Sequence, residues 1–125
     1  LYMKENGKKV CDDFRHESTL VIQDGRDLIL FNSCSHAGVS NIIESVKEAF
    51  PGYRIRSFVG GMHLCSSAGK KREKRASIEK LGMELSRYGI SYYTGHCTGE
   101  APFQQLKKIL GDRIEAFSTG MEFDV

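Results

Sequence analysis

Hydrophobic positions along this chain switch repeatedly between a strand period and a helix period. Thr19-Leu20-Val21-Ile22 is a short β-rich run that meets the turn signal Asp24-Gly25, and Leu28-Ile29-Leu30-Phe31 follows at once, so the two predict a hairpin. From Val39 the spacing changes. Val39, Ile42, Ile43, Val46 and Phe50 share one helical face, and Pro51-Gly52 stops that helix. Tyr53 to Val59 alternates as a strand and ends at Gly60-Gly61. Residues 66–71 are small and basic and predict a loop. A helix is expected from Arg72 to Tyr88, with Ile78, Leu81, Leu85 and Tyr88 turned inward and Gly89 just past its end. Ile90 to Thr94 predicts a short strand. Glu100 to Leu110 suits a helix with Pro102 in its first turn and Gly111 at its close, and Ile114 to Phe117 a last strand. Hairpin, helix, strand, helix, strand, helix, strand is the order of an α/β layer in which helices cover a sheet.

Composition narrows the function classes. The 125 residues are 40% hydrophobic and 27% charged, which suits one globular domain rather than disorder. A net charge of +2 gives no field that would draw nucleic acid or an anionic membrane, and the basic run Lys70–Arg75 reads as a solvated surface. No apolar run approaches the roughly eighteen residues of a membrane span, and the start lacks the features of a signal peptide. The chain is therefore expected in the cytoplasm. Leu stands at position 1, which suggests a fragment or a processed product. The four cysteines contain no Cys-x-x-Cys pair, so a zinc ribbon is not indicated; inside a reducing compartment they are expected as thiols or metal ligands.

Three of the four histidines fall at comparable places. His36 follows the strand Leu28–Phe31, His63 follows the strand ending at Val59, and His96 follows the strand ending near Thr94. His16 precedes a strand. In open α/β sheets, ligands bind beyond the carboxyl ends of the strands, and small neighbours such as Gly, Ser and Cys let a ligand come close. Neutral imidazole is a common ligand for zinc and suits iron. Cys34 and Cys97 lie beside these histidines, where a thiolate could also bind metal. Cys34 is kept as a candidate ligand; Cys11 and Cys65 read as small, partly buried hydrophobes.

Four ordered segments carry a family resemblance: Asp13-Phe14-Arg15-His16-Glu17, Cys34-Ser35-His36-Ala37-Gly38, Gly60-Gly61-Met62-His63-Leu64 and Gly95-His96-Cys97-Thr98-Gly99. Together they resemble the metallo-β-lactamase superfamily, in the branch similar to the dihydropterin-linked synthase of methanopterin biosynthesis. The resemblance implies that residues 1–125 form the C-terminal half of an αββα sandwich, a mixed sheet covered by helices, with a two-metal site at one edge. His36, His96, His16 and His63, with Cys34, are the implied metal ligands. The metal would be divalent, zinc first, with iron or manganese next. By chain order His16 resembles the first ligand of this half and His96 the last. The Cys34–His36 stretch lies where a bridging Asp usually stands, and no Asp is present. The activity implied is hydrolysis, or a related transfer, of a phosphate- or pterin-like small molecule. Ser35, Thr98 and the backbone amides at Gly38 and Gly99 are the expected substrate contacts; no catalytic residue is assigned. The superfamily's His-x-His-x-Asp-His motif has no counterpart here. A separate N-terminal half or a second copy, as in a homodimer, would then complete the site. The competing expectation is a degenerate, non-catalytic domain that binds metal or a partner.

Overall fold

A computed structural model describes residues 2–65 and 73–125. Its elements are β1 (Tyr2–Glu5), β2 (Lys8–Cys11), β3 (Thr19–Asp24), β4 (Asp27–Asn32), α1 (Val39–Ala49), β5 (Arg54–Gly60), α2 (Arg75–Ser86), β6 (Ser91–Thr94), α3 (Glu100–Leu110) and β7 (Ile114–Ala116). Short 3-10 turns at His96–Thr98 and Gly111–Arg113 flank α3. The predicted loop at 66–71 and the first half of the basic run lie outside the described residues; of that run, Lys74 caps α2 and Arg75 opens it.

Strands β3 to β7 form one mixed sheet in sequential order. The β3–β4 pair is antiparallel, and each later pair is parallel. Sequential parallel strands joined by right-handed crossovers place α1, α2 and α3 on the same face. That face holds the core. Leu28, Leu30, Phe58, Tyr92 and Ile114 of the sheet meet Val39 and Ile43 of α1, Ile78 and Leu85 of α2, and Leu106 of α3. Gly82 lets α2 and α3 approach: a Cβ there would lie 2.7 Å from the Ile109 side chain. Arg54 donates two hydrogen bonds of 2.8 Å to Asp27, tying the starts of β4 and β5 together. This fork holds the Asp27 carboxyl below its usual range.

The opposite face is covered differently along its width. Over β6, Phe123 stacks on Tyr93 at 4.8 Å, and Tyr93 Oη donates to the Asp124 carbonyl at 2.9 Å. Over β3 the cover is thin. Leu20 is 60% exposed and Ile22 43%, while Val21 between them packs against the core.

The β1–β2 hairpin is absent from the periodicity-based expectation. Its turn is Asn6-Gly7 with both φ positive (49° and 77°), the geometry that Asn-Gly favours in two-residue hairpins. Helix α2 is shorter than expected, opening at Arg75 and ending at Ser86. Leu81 and Tyr88 pack only partly buried against the core. Cys11, expected to be partly buried, is exposed because the β1–β2 sheet stands apart from the main one.

Candidate metal centre

Parallel strands bring their carboxyl ends to one edge, and the loops after β4, β5 and β6 carry His36, His63 and His96 there. The loops close tightly. Ser35, His63 and His96 adopt positive φ (51°, 50° and 51°), which costs a non-glycine residue about 1 kcal/mol or more and clusters at functional sites. Gly60 and Gly61 lie against the first loop. A Cβ on Gly60 would overlap the Asn32 carbonyl, and one on Gly61 would lie 2.6 Å from Cys97 Sγ and 2.9 Å from the Ser33 carbonyl oxygen. Gly61 N–H donates to that Ser33 carbonyl at 2.8 Å, joining the first two loops. Cys65 N–H donates to the Cys97 carbonyl at 3.0 Å, joining the second and third.

The histidine rings converge. His36 and His63 meet edge to face at 4.3 Å between centroids, and His16 lies 6.3 Å from His36. Glu17 brings His16 in from a distant part of the chain. Its carboxylate accepts the backbone N–H groups of His36 at 2.7 Å and Ala37 at 2.9 Å. Burial, followed by the nearby His36, pushes the His63 imidazole below its usual pKa, so it stands neutral and able to ligate. Its Nδ1 is buried and finds no hydrogen-bond partner among the described residues.

A second group of donors adjoins the first. One ligand atom each of Cys34, His96 and Cys97 lies within 4.8 Å of the other two. Cys97 Sγ accepts the His63 N–H at 3.3 Å and donates to the Cys34 carbonyl at 3.6 Å. Burial pushes the Cys97 thiol up to about 11. The expected ligands His16, His36, His63, His96 and Cys34 thus share one edge. Cys97, expected as a thiolate able to bind metal, joins them, as does Glu17, to which the sequence motifs gave no role. An orphaned buried imidazole nitrogen and two thiols beside a histidine are a donor set that fits a divalent metal.

The expected substrate contacts are placed otherwise. Ser35 is buried, and its hydroxyl and N–H both meet the Asn32 side-chain amide. Thr98 is buried; its hydroxyl accepts the Met62 N–H at 2.9 Å and bonds the Thr94 hydroxyl at 2.6 Å. Gly38 N–H donates to the Ser35 carbonyl at 3.0 Å. These three groups are engaged in hydrogen bonds within and between the loops. Gly99 differs: it lines a cavity of about 210 Å³ with His96, Glu100, Phe103 and Phe117.

No protein-family model matches the chain. The chain is 29% identical over 100 residues to the 7,8-dihydropterin-6-methyl-4-(β-D-ribofuranosyl)-aminobenzene-5'-phosphate synthase of Methanocaldococcus jannaschii, a match covering 79% of this chain and 32% of the synthase. It superposes on the crystal structure of Tm1679, a metal-dependent hydrolase of the β-lactamase superfamily, with a TM-score of 0.81 and 30% identity. That match covers 99% of this chain and 46% of Tm1679. The chain therefore spans about a third of the curated synthase and about half of the solved hydrolase. In fold and in sequence it carries part of a metallo-β-lactamase-type structure and resembles the branch of the dihydropterin-linked synthase.

Proposed function

We propose that this chain is the C-terminal half of a metallo-β-lactamase-type hydrolase, acting on a phosphate- or pterin-like small molecule. The observation that carries the reading is the convergence of His36, His63 and His96, with Cys34, at the carboxyl edge of the parallel strands. The likeness to a metal-dependent hydrolase and to a pterin-linked synthase supports the reaction and substrate class.

When bound, a divalent metal would supply Lewis-acid charge and a nucleophile at neutral pH. The chain's own residues would hold and orient it. His63 offers a neutral nitrogen, and Glu17 fixes the loop that presents His36. The cavity beside His96 is smaller than the roughly 300 Å³ of a whole-ligand site, so it would take one end of a substrate. Phe103 and Phe117 give it apolar walls for a flat ring.

The exposed Leu20 and Ile22 lie on the sheet face away from the helices. We assign that face to the complementary half of the sandwich, supported by the 46% share of Tm1679 that this chain spans. A second copy of the chain is the competing occupant. Light scattering of the isolated chain, with and without Leu20→Ser/Ile22→Ser, separates them: a dimer broken by the substitutions would replace the assignment.

The test of function is metal content by elemental analysis of protein purified without chelators or a histidine tag. Near-stoichiometric zinc, iron or manganese is expected, and His96→Ala should lower it and abolish metal-dependent turnover. A metal-free chain that takes up none on dialysis would overturn the reading.

A further inference from the structure

Beside the four histidines and Cys34, the same edge holds a further thiol, Cys97. It sits on the 3-10 turn His96–Thr98, buried, with its sulfur directed into the loops rather than away from them. Its surroundings are built around that sulfur. The His63 N–H points at Sγ, the Cys65 N–H holds the Cys97 carbonyl, and residue 61 has no room for a Cβ beside Sγ.

A buried cysteine is by default a small hydrophobe. That role does not call for a second thiol and an imidazole aimed at the same point, yet Cys34 and His96 both place a donor atom within 4.8 Å of Cys97 Sγ and of each other. In a tetrahedral site with metal–sulfur bonds of about 2.3 Å, ligand sulfurs stand about 3.8 Å apart. Side-chain shifts of about 1 Å would therefore close the trio on an ion. Cys34 is half-buried and His96 exposed, so both are able to turn, while Cys97 is the fixed member.

We propose that Cys34, Cys97 and His96 form a thiolate-rich metal subsite, holding a borderline-soft divalent cation through two sulfurs and one imidazole nitrogen. This rests on the reading that the edge binds metal, and it narrows the metal. Two thiolates favour zinc or cobalt over manganese, which prefers oxygen donors. Each thiol releases its proton to solvent on ligation, with no change of oxidation state. Three protein donors leave a fourth position for solvent or substrate, as in catalytic rather than structural zinc sites.

The test is titration of the whole chain with Co²⁺, read by absorbance. The expected result is visible ligand-field bands together with a near-ultraviolet sulfur-to-cobalt charge-transfer band. Cys34→Ser and Cys97→Ser should each weaken the second band, and Cys11→Ser should leave it intact. Ligand-field bands without charge transfer would overturn the thiolate subsite and leave the metal reading standing; no cobalt spectrum at all would overturn both. If Cys97→Ser does not fold, thiol labelling of the wild-type chain decides. Zinc should protect two of the four cysteines from a thiol reagent, and protection of none would overturn the proposal.

Discussion

Glu17 is the residue whose replacement reports most directly on how the edge is assembled. Its two carboxylate oxygens accept the N–H groups of His36 and Ala37, residues far along the chain in the loop between β4 and α1. Hydrogen bonds to a charged group are worth about 1.5–3 kcal/mol each, and removing one partner strands the other. Glu17 is only half-buried, so water would satisfy part of the loss, and Glu17→Ala should cost about 2–4 kcal/mol in all. Glu17→Gln keeps one acceptor oxygen but turns an NH₂ toward the second N–H, so its cost should fall between wild type and Ala. Because the clamp also fixes the loop that presents His36, metal affinity should drop about 10- to 100-fold, the usual effect of losing a group that orients a ligand. Urea unfolding of the metal-free protein gives the first quantity. Competition of the chain with a chelator for zinc gives the second. A Glu17→Ala protein with the wild-type unfolding midpoint and wild-type zinc affinity would refute both the clamp and its link to the site.

Three further outcomes follow from the same geometry. Gly61→Ala should cost about 1–3 kcal/mol, as overpacking does, because its Cβ would sit 2.6 Å from Cys97 Sγ; the cobalt spectrum should weaken with it, and an unchanged spectrum would argue against a fixed Cys97. Tyr92 Oη donates to the Leu85 carbonyl inside the core at 2.8 Å, so Tyr92→Phe should cost about 0.5–1.5 kcal/mol by thermal or urea unfolding. Burial holds the Tyr92 phenol well above its ordinary value of 10.0, so the unfolded chain ionises first, and stability present below that pH should be lost as pH rises through it. Tyr92→Phe should flatten that alkaline slope. The His63 imidazole is depressed from its ordinary 6.5, so the unfolded chain takes up the proton first. Metal-free protein should therefore lose stability as pH falls below 6.5, less so in His63→Gln, as urea midpoints between pH 7 and 5 would show.

What the chain disclosed in advance follows from which features have a period. The helices each bury one face, and the central strands β4 and β5 read as near-continuous apolar runs buried on both, so Leu28, Leu30, Ile43, Phe58 and Leu106 mark the layer. The β1–β2 hairpin buries little; Lys4, Glu5, Lys8 and Lys9 are exposed, and only the Asn6-Gly7 turn betrays it. At the edge, His36, His63 and His96 could be grouped because parallel strands must end together. His16 reaches them through Glu17, a contact between loops that no spacing encodes.

The small polar residues of the motifs were the harder part, and the reason is physical. Ser35, Thr98 and Gly38 look like groups waiting for an anion, but a sharp loop has backbone and side-chain hydrogen-bonding groups of its own to satisfy. Here those residues satisfy them: Asn32 takes Ser35, Met62 and Thr94 take Thr98, and the Ser35 carbonyl takes Gly38. Glu17 likewise occupies the His36 and Ala37 amides with its own carboxylate. The imidazole rings are what the loops leave for chemistry, while the Cys97 thiol is held between the His63 N–H and the Cys34 carbonyl. On the His96–Thr98 turn one residue of each kind stands side by side, the ring exposed and the sulfur buried. That division of adjacent residues between surface and interior is set by a single turn of backbone with His96 at φ 51°. It is why the histidine could be singled out from its place after a strand, while the cysteine beside it could be read only as a thiolate able to bind metal, with its burial unforeseen.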